Sequence, residues 1–468
     1  MKSSKSQIFS RVYGLPEIIF TDVSLTSFSG LVIFQSLFER LRLKERLKCC
    51  FTPGRGGPMC GMATIMMLLI VHIIIGFRRL RDVEYYGDDP MVLRVLGLRR
   101  APSVATLSRA LRGARGAEYE QVRVLSRSLV CERLTALAPA RLTLDFDGSV
   151  FSTRTHAEGT AVGMNKKRKG ARSYYPLFCT IAQTGQFFDA LHRPGNVHDS
   201  NGADEFIPEC IEAARAAAPG AVIESRVDSA FFSQNTAIMF EDQEAEFTAS
   251  VPFERFPELK QIIEERKRWR RIDATWSYFE AGWRPKSWPE GWDFRFLFYR
   301  RKSKQIHKAP IQLDLFLPNT YEYEYKVVAT NKRVSAKKVL RFHNGRGAQE
   351  GIFAEAKTHA SLGYIPTRTK AGNQLYMMAG ILAHNLTREL QMSISQAVRG
   401  TTEKRAARWV FEHLGTLQHR LIARAGRLTR PGGRLTLTLS PNAAVQRDLI
   451  HMMSTLTHND DSVVARAA

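Results

Sequence analysis

The sequence predicts an α/β fold, with a helical region before it and a β-rich stretch inside it. Three observations support this class. Apolar residues recur at helical spacing from Leu31 to Leu47, a segment without Gly or Pro. From residue 141 onward, short alternating segments predict strands, and IPECIEAARAA (207–217) predicts a helix between them. The length of 468 residues is enough for two to four domains of about 150 residues each.

Residues 1–140 are predicted to be mostly helical. The most apolar run is 62–77; it is shorter than the ~20 residues that a membrane-spanning helix needs, and His72 interrupts it. This run therefore predicts a buried core helix. Ser103 is the predicted N-cap of the helix VATLSRALR, and Gly113 is its predicted end. That helix could be the recognition helix of a helix-turn-helix, with Arg109 facing DNA, or a surface helix with solvated arginines.

Residues 141–240 contain the predicted α/β unit. RLTLDFDGSVF alternates, so Leu144 and Phe146 share one face of a strand while Asp145 and Asp147 share the other. The segments 174–182 and 185–193 predict two paired strands around Thr184-Gly185. AVIESRVD (221–228) predicts another strand, and a helix is expected from Ser229.

Residues 241–335 predict a β-rich stretch, because WDFRFLFYRR (292–301) and YEYEYKVVATN (321–331) alternate. Five of the six tryptophans lie between Trp269 and Trp292, where their rings could stack on bases or pack in a core. Residues 336–400 are predicted to be helical. From 401 to 468 the chain is expected to be a basic tail, since 401–434 holds eight Lys or Arg against Glu403 and Glu412.

The charge balance indicates a polyanionic partner. Lys and Arg number 68 against 45 Asp and Glu, which gives a net charge of +23. Nucleic acid is the first candidate and an acidic membrane surface the second. Six cysteines without a Cys-x-x-Cys pair are not the pattern of a disulfide framework or of a structural zinc site. The start of the chain lacks a secretory apolar region, so a cytoplasmic, nucleoid-associated protein without a membrane partner is expected.

Three acidic residues are candidates for a functional site. Asp147 ends a predicted strand beside Gly148, where an acid can reach a metal ion or simply cap a turn. Asp228 ends a second strand, where it could be a ligand or a helix N-cap. Glu350 lies in a predicted helix, where it could be a ligand or a solvated carboxylate.

Two cations lie near Glu350 in the same predicted helix. Extended backwards, this helix would place His343, Arg346, Glu350 and Lys357 within about 60° of one face. A carboxylate between two cations is an unusual arrangement for a merely solvated face. The glycines after His343 favour a helix that begins only near Ala348, with loop before it.

Together these residues resemble the acidic triad of DDE transposases from bacterial insertion sequences. The pattern Tyr-x2-Arg-x3-Glu-x6-Lys marks the cut-and-paste subgroup, and Arg346, Glu350 and Lys357 match it, whereas His343 replaces the Tyr. LDFDGSVF resembles the first-acid motif, and RVDSAFFS (226–233) resembles the second, with Ala230 where Gly is common. The likeness extends to the segment between the first two acids, PGNVHDSNGA (194–203), and to the helix after the Glu, QLYMMAGILAHNL (374–386). In total it covers about residues 56–435.

The resemblance implies an RNase H-like core made of residues 141–240 and 336–400, a mixed sheet flanked by helices. It further implies a β-rich insertion over 241–335 and a DNA-binding N-terminal region over 1–140. In such a core the first acid lies on the first strand, the second acid on the fourth strand, and the Glu on a late helix.

The function implied is that of a DNA transposase, which binds terminal inverted repeats and catalyses metal-dependent strand cleavage and strand transfer by a cut-and-paste route. A catalytically inactive, transposase-derived DNA-binding protein or repressor is the alternative, and a nuclease of the same fold is a third interpretation. Double-stranded DNA with inverted repeats, target DNA and a second copy in a synaptic homodimer are the implied partners.

The resemblance assigns the catalytic and metal-binding roles to Asp147, Asp228 and Glu350, with Asp145 as the alternative to Asp147. Three carboxylates supply the hard oxygen ligands that Mg²⁺ requires, and Mn²⁺ should substitute for it. The expected DNA contacts are spread over three segments: Arg346, Lys357 and His343 near the acids, the basic run Lys166, Lys167, Arg168 and Lys169, and Arg109. The basic run could equally be a solvated loop.

Overall fold

A computed structural model describes residues 15–52, 61–163, 165, 168–198, 200–252, 255–288, 294–302 and 323–457. Its N-terminal part is helical after a short strand. The elements are β1 (Leu25–Thr26), α1 (Leu31–Arg40), α2 (Leu43–Cys49), α3 (Met62–Ile74), a 3-10 turn (Leu80–Tyr85), α4 (Pro90–Leu96), α5 (Val104–Arg112) and α6 (Gly116–Leu137).

Two expectations for this region can be compared with the structure. The single helix expected over 31–47 is broken, because the backbone at Arg42 is left-handed (φ 50°) and ends the first helix. The apolar helix α3 is buried from Ile65 to Ile74, which confirms the predicted core helix. Within the ranges that the structure describes, no helix has both the length and the apolar character needed to cross a membrane.

The middle of the chain forms a large mixed sheet. Its elements are β2 (Arg141–Gly148), β3 (Phe151–Ser152), β4 (Ala161–Val162), β5 (Arg172–Tyr174), β6 (Leu177–Ile181), β7 (Gln186–Leu191), α7 (Ala203–Ala217), β8 (Val222–Val227), a 3-10 turn (Ser229–Phe231), α8 (Gln234–Asp242) and β9 (Glu246–Val251). β2 pairs with β8 and β8 with β9 in parallel, whereas β2, β6 and β7 pair antiparallel. The predicted strand pair around Thr184-Gly185 is thereby confirmed.

The β-rich stretch continues the same sheet. It contains α9 (Glu258–Glu265), β10 (Arg270–Arg271), β11 (Trp276–Ala281), β12 (Arg295–Lys302) and β13 (Tyr323–Thr330). Because β13 pairs with β9, the nine strands run in the order β10-β11-β12-β13-β9-β8-β2-β6-β7. The strands expected as an insertion are thus hydrogen-bonded to the central sheet. β9 lies after residue 240, the predicted end of the α/β unit, and yet it belongs to the parallel part of that sheet.

The rest of the chain returns to helices and closes the molecule. It contains α10 (Ala336–Asn344), α11 (Gly347–His359), α12 (Lys370–Ile394), α13 (Leu414–Leu417), a π-helical turn (Gln418–Ile422), β14 (Gly426–Thr429), a 3-10 turn (Pro431–Gly433), β15 (Thr436–Leu439) and α14 (Ala443–Leu456). The segment expected as a basic tail folds back, since β1 pairs with β14 and α14 contacts α1 and α12.

Helices cover both faces of the central sheet. Leu144 and Phe146 of β2 pack with Phe206 and Ile211 of α7 in one apolar cluster. On the opposite face, Phe178 and Phe187 belong to a second cluster that also includes residues of α3, α11 and α12. Because both faces of the sheet are covered, β6 and β7 have apolar side chains on both sides, which makes their sequences almost continuously apolar.

Candidate active site

Two of the predicted acids follow neighbouring parallel strands. In the register of β2 and β8, Asp145 lies opposite Arg226. Asp147 and Asp228 each come two residues later along their strands, so both acids lie at the same edge of the sheet. Adjacent strands are separated by about 4.8 Å. The fold therefore brings to one edge two residues that are far apart in the chain.

Asp228 caps the turn that follows β8. Its Oδ1 accepts a hydrogen bond of 2.9 Å from the backbone N–H of Ala230, and the 3-10 turn Ser229–Phe231 begins there. Asp228 is therefore an N-cap, one of the two roles that its position in the sequence allows. Capping fixes the orientation of the carboxylate at the edge of the sheet and does not exclude a second role for it.

Asp147 is joined to the start of α11. The guanidinium Nη1 of Arg346 lies 3.1 Å from Asp147 Oδ2, and each side chain is 20% exposed. One turn of helix further on, Gln349 donates from Nε2 to the backbone carbonyl of Asp145 at 2.8 Å. Two hydrogen bonds thus hold the start of α11 against the end of β2. Glu350 is the next residue after Gln349 in this first turn, and it is exposed.

The carboxylates suit a hard divalent cation, but they do not form a ligand cluster here. Asp147, Asp228 and Glu350 offer only oxygen atoms, which Mg²⁺ and Mn²⁺ prefer. Among the residues that the structure describes, no three His, Cys, Asp or Glu side chains are grouped closely enough to hold a metal ion. The convergence of the three acids on one metal site therefore stays a prediction, and in this structure Arg346 contacts the carboxylate of Asp147.

Asp145, the alternative first ligand, is held in a buried ion pair. Both of its oxygens accept from Arg226, at 2.5 Å from Nε and 2.6 Å from Nη2. Arg226 is fully buried and also donates to the carbonyl oxygens of Phe342 and Lys404. Burial raises the pKa of Asp145, and the positive charge of Arg226 opposes that shift. This arrangement favours Asp147 as the candidate ligand and gives Asp145 a structural role.

We expect Arg226→Met to lower the free energy of unfolding by about 3–5 kcal/mol, because it leaves Asp145 buried without its partner. Urea denaturation measures the change. Arg341→Met is the matched control, since Arg341 pairs with Glu403 at the surface and should contribute less than about 1 kcal/mol. A loss for Arg226→Met no larger than that of the control would contradict a stabilising role for the buried pair.

Gly345 makes the junction between α10 and α11 possible. A Cβ at this position would lie 2.0 Å from the carbonyl oxygen of Lys404 and 2.2 Å from Nη1 of Arg226. Glycine is therefore required for close packing and not for an unusual backbone angle. The helix ends at Asn344 and resumes at Gly347, so His343 and Glu350 do not lie on one continuous helix.

His343 does not face the site. Its side chain is 3% exposed, and its ring nitrogens hydrogen-bond to Thr248 and Ser250 of β9. Burial, with Lys326 and Arg346 adding to it, holds the pKa of His343 well below its usual value. The structure does not support the DNA contact expected for this residue, because a buried ring with both nitrogens engaged cannot reach a phosphate.

Two other cations lie beside the elements that carry the acids. The Nζ of Lys357 is 3.5 Å from the carbonyl oxygen of Val150 and 5.8 Å from the ring centre of Phe151, both just beyond the end of β2. Lys326 on β13, which the sequence analysis missed, donates to Asn344 at 2.9 Å. Burial lowers the pKa of Lys326, and nearby Arg346 and Arg301 lower it further. No spacing pattern identifies Lys326, because only the pairing of β13 with β9 brings it here.

The remaining predicted DNA contacts lie elsewhere on the chain. Arg168 and Lys169 are exposed, whereas Lys166 and Lys167 lie outside the described residues. Arg109 is exposed on α5, which begins at the capping side chain of Ser103 as predicted, and its Nε donates to the carbonyl of Ala105. These DNA contacts stay predictions.

The tryptophans of the β-rich stretch are largely packing residues. Trp288 is buried and stacks on Phe232 with ring centres 5.1 Å apart. Trp283 packs edge-on against Phe256 and Phe296. Trp292 lies outside the described residues. For Trp283 and Trp288 the core interpretation is the one that the structure supports.

Comparison with known proteins identifies one family. The model of the family described as Transposase DDE domain group 1 matches residues 17–461. A search of curated proteins found no match.

Solved transposase structures show a low similarity. A piggyBac transposase synaptic complex with hairpin DNA is similar at 11% identity and a TM-score of 0.46, over 84% of this chain and 80% of that one. Two Mos1 transposase structures, a paired-end complex with the left transposon end and a pre-cleavage transpososome, are similar at 11% and 12% identity. Each has a TM-score of 0.17 and covers 52% of this chain and 70% of that one.

Proposed function

Since the chain belongs to the Transposase DDE domain group 1 family, we propose that it binds the terminal inverted repeats of an insertion sequence and moves that element by cut-and-paste. In this proposal, Asp147, Asp228 and Glu350 carry out metal-dependent strand cleavage and strand transfer. The observation that carries it is the shared sheet edge of the two aspartates, to which the first turn of α11, and with it Glu350, is fastened.

An RNase H-like core is the fold we propose for residues 141–240 and 336–400, with β9 (Glu246–Val251) added to its first part. The strand order β7-β6-β2-β8-β9, with β2, β8 and β9 parallel, supports it. We further propose that residues 1–140 bind DNA, that the part of 241–335 after β9 is a β-rich insertion built onto the core sheet, and that 401–468 is a basic C-terminal region.

A divalent cation, Mg²⁺ or Mn²⁺, would be held by the three carboxylates; it would activate the attacking oxygen and stabilise the leaving oxygen at phosphorus. The protein's own groups have separate tasks. The capping bond to Ala230 orients Asp228. Arg346, Lys357 and Lys326 offer positive charge beside the acids, which would position the phosphates of the DNA end. To contact a phosphate, Arg346 must first give up its ion pair with Asp147.

The test uses purified protein and DNA that carries the inverted repeats flanking its gene, with Mg²⁺ present. We expect cleavage at the repeat ends and joining of those ends to a second DNA. Cleavage without joining would indicate a nuclease. Binding without cleavage would indicate the inactive DNA-binding alternative, which the intact set of three acids disfavours. The synaptic complex is proposed to contain two copies of the chain and, later, the target DNA.

Binding to the repeat ends is expected to depend steeply on salt. Each neutralised phosphate contributes about −0.9 to the slope of log K against log salt concentration, so several contacts give a slope steeper than about −3. Lys169→Gln should make the slope shallower by about 1 if this exposed residue contacts a phosphate. Arg46→Gln is the control, because Arg46 pairs with Glu132 at 2.6 Å. A wild-type slope shallower than about −2 would argue against DNA as the main partner.

A further inference from the structure

A turn that follows α12 lies against β8, the strand that leads to the second candidate acid. Residues 402–405 (TEKR), which we call the clamp segment, contact two side chains of this strand. The carbonyl oxygen of Lys404 accepts a hydrogen bond of 2.8 Å from Nη1 of Arg226. The guanidinium of Arg405 donates to both carboxylate oxygens of Glu224, at 2.7 and 2.9 Å. Both strand residues are fully buried, so the clamp segment is attached to the interior of the protein.

The clamp segment also packs on the junction between α10 and α11. Nη1 of Arg226 donates to the carbonyl oxygen of Phe342 in α10, at 3.0 Å. The guanidinium of Arg405 lies 5.6 Å from the ring centre of Phe342. At the junction itself, the carbonyl oxygen of Lys404 is so close to Gly345 that a Cβ there would lie 2.0 Å from it. Because α11 begins two residues later, the clamp segment contacts the point from which this helix extends.

Arg405 has an unfavourable backbone conformation. Its φ is 51°, in the left-handed region that residues other than glycine rarely adopt. Besides the two bonds to Glu224, Nη1 of Arg405 donates to the carbonyl oxygen of Thr402 at 2.7 Å and closes the turn. Burial alone would raise the pKa of Glu224, but the hydrogen bond from Arg405 and the charge of Lys332 lower it to about 2. Unfavourable backbone angles that the surroundings maintain are concentrated at functional sites.

We propose that Arg405 is a positioning residue, which holds the clamp segment on the α10–α11 junction and so orients Glu350 for metal binding. Glu350 is exposed in the first turn of α11, and a metal ligand must be held to within about 0.5 Å. Arg346 provides one of the two bonds between this turn and β2, and it must release Asp147 to contact a phosphate. The clamp segment holds the junction independently of Arg346, so the helix stays in place when DNA binds. The inference rests on the proposed function of Glu350 as a metal ligand.

Hydrogen exchange tests the clamp segment without DNA or metal. Arg405→Gly removes the ion pair and relieves the backbone, while Glu224 keeps Lys332 as a partner at 2.8 Å, so the fold should persist. We expect the amides of 345–352 to exchange at least tenfold faster in this variant, and those of α12 to be unchanged. Arg430→Gly, at an exposed arginine between β14 and β15, is the matched control and should exchange like the wild type. Unchanged exchange at 345–352 in Arg405→Gly would overturn the proposal.

Mn²⁺ binding tests whether the clamp segment acts on the metal site. A titration followed by electron paramagnetic resonance, with the repeat-end DNA bound, should give a dissociation constant for Mn²⁺ at least fivefold higher in Arg405→Gly than in the wild type. Half-maximal cleavage should require correspondingly more Mg²⁺. Arg405→Lys, which can keep one bond to Glu224, should be intermediate in both measurements, and Arg430→Gly should match the wild type.

The wild type and the variant together separate this inference from the proposed function. If the wild type binds Mn²⁺ and cleaves, and Arg405→Gly has a lowered melting temperature but an unchanged metal dependence, Arg405 is a structural residue and only this inference is overturned. A wild type that neither binds Mn²⁺ nor cleaves would overturn the proposed function, and the positioning role with it.

Discussion

Asp228→Asn is expected to abolish cleavage of the repeat end while the protein still binds that end. The amide oxygen of Asn can accept the bond from Ala230, so the turn after β8 and the stability of the fold should persist. What is lost is the negative charge, which a metal ligand needs and which a DNA contact does not. Single-turnover cleavage in Mg²⁺ and a gel-shift assay, each with the same repeat-end DNA, measure the two properties separately.

The control for this variant is Asp242→Asn, at the exposed end of α8, which should cleave normally. If Asp228→Asn cut the repeat end at a rate near that of the wild type, Asp228 would be a capping residue only. The acidic site would then have to be sought elsewhere at this edge of the sheet.

Lys357→Ala should lower cleavage by an order of magnitude or more and leave the melting temperature nearly unchanged. In this structure the ammonium group lies 3.5 Å from the carbonyl oxygen of Val150, just beyond the end of β2. Lys357 is too far along the helix from Glu350 for an i,i+4 ion pair, which would in any case contribute only ~0.3–0.5 kcal/mol. Its proposed task is to hold a phosphate beside the acids.

Arg346→Lys is also expected to lower the rate of cleavage, because Arg346 too is proposed to hold a phosphate. A guanidinium binds a phosphate with two parallel hydrogen bonds, whereas an ammonium is a point charge on a flexible stem. Lys338→Ala, an exposed lysine of α10, is the matched control for both variants. Melting temperature and single-turnover cleavage should be compared for all three. Normal cleavage together with lowered stability would make Arg346 and Lys357 structural residues.

Local patterns predicted much of this fold. The alternation in RLTLDFDG identifies β2, and the turn residues at 184 and 185 identify the hairpin of β6 and β7. Asp147 and Asp228 are identifiable because strand ends are recognisable in a sequence, whereas Glu350 lies in a helix. Periodicity could not predict their shared sheet edge, since pairing between β2 and β8 joins residues 81 positions apart. That expectation came from the family resemblance.

For three charged residues, the structure gives surroundings that the sequence pattern does not predict. A shared face for His343 and Glu350 requires one continuous helix, whereas α10 ends at Asn344 and the ring of His343 hydrogen-bonds to β9. The contacts of Lys326 with Asn344 and of Asp145 with Arg226 likewise follow from strand pairing and helix packing. A charged side chain's role depends on the partner that the tertiary fold gives it, and no local pattern specifies that partner.

The continuous central sheet fixes the distance between the strand that bears Asp147 and strand β12. From β2 to β12 there are four strand-to-strand steps, by way of β8, β9 and β13. At about 4.8 Å for each step, β12 lies about 19 Å from the strand that bears Asp147. The guanidinium of Arg300 on β12 lies 4.5 Å from the ring centre of Trp269 and 4.4 Å from that of Tyr323. In the proposed function, a duplex that ran from Asp147 past the ends of these strands, at about 3.4 Å per base pair, would reach β12 after roughly five to six base pairs.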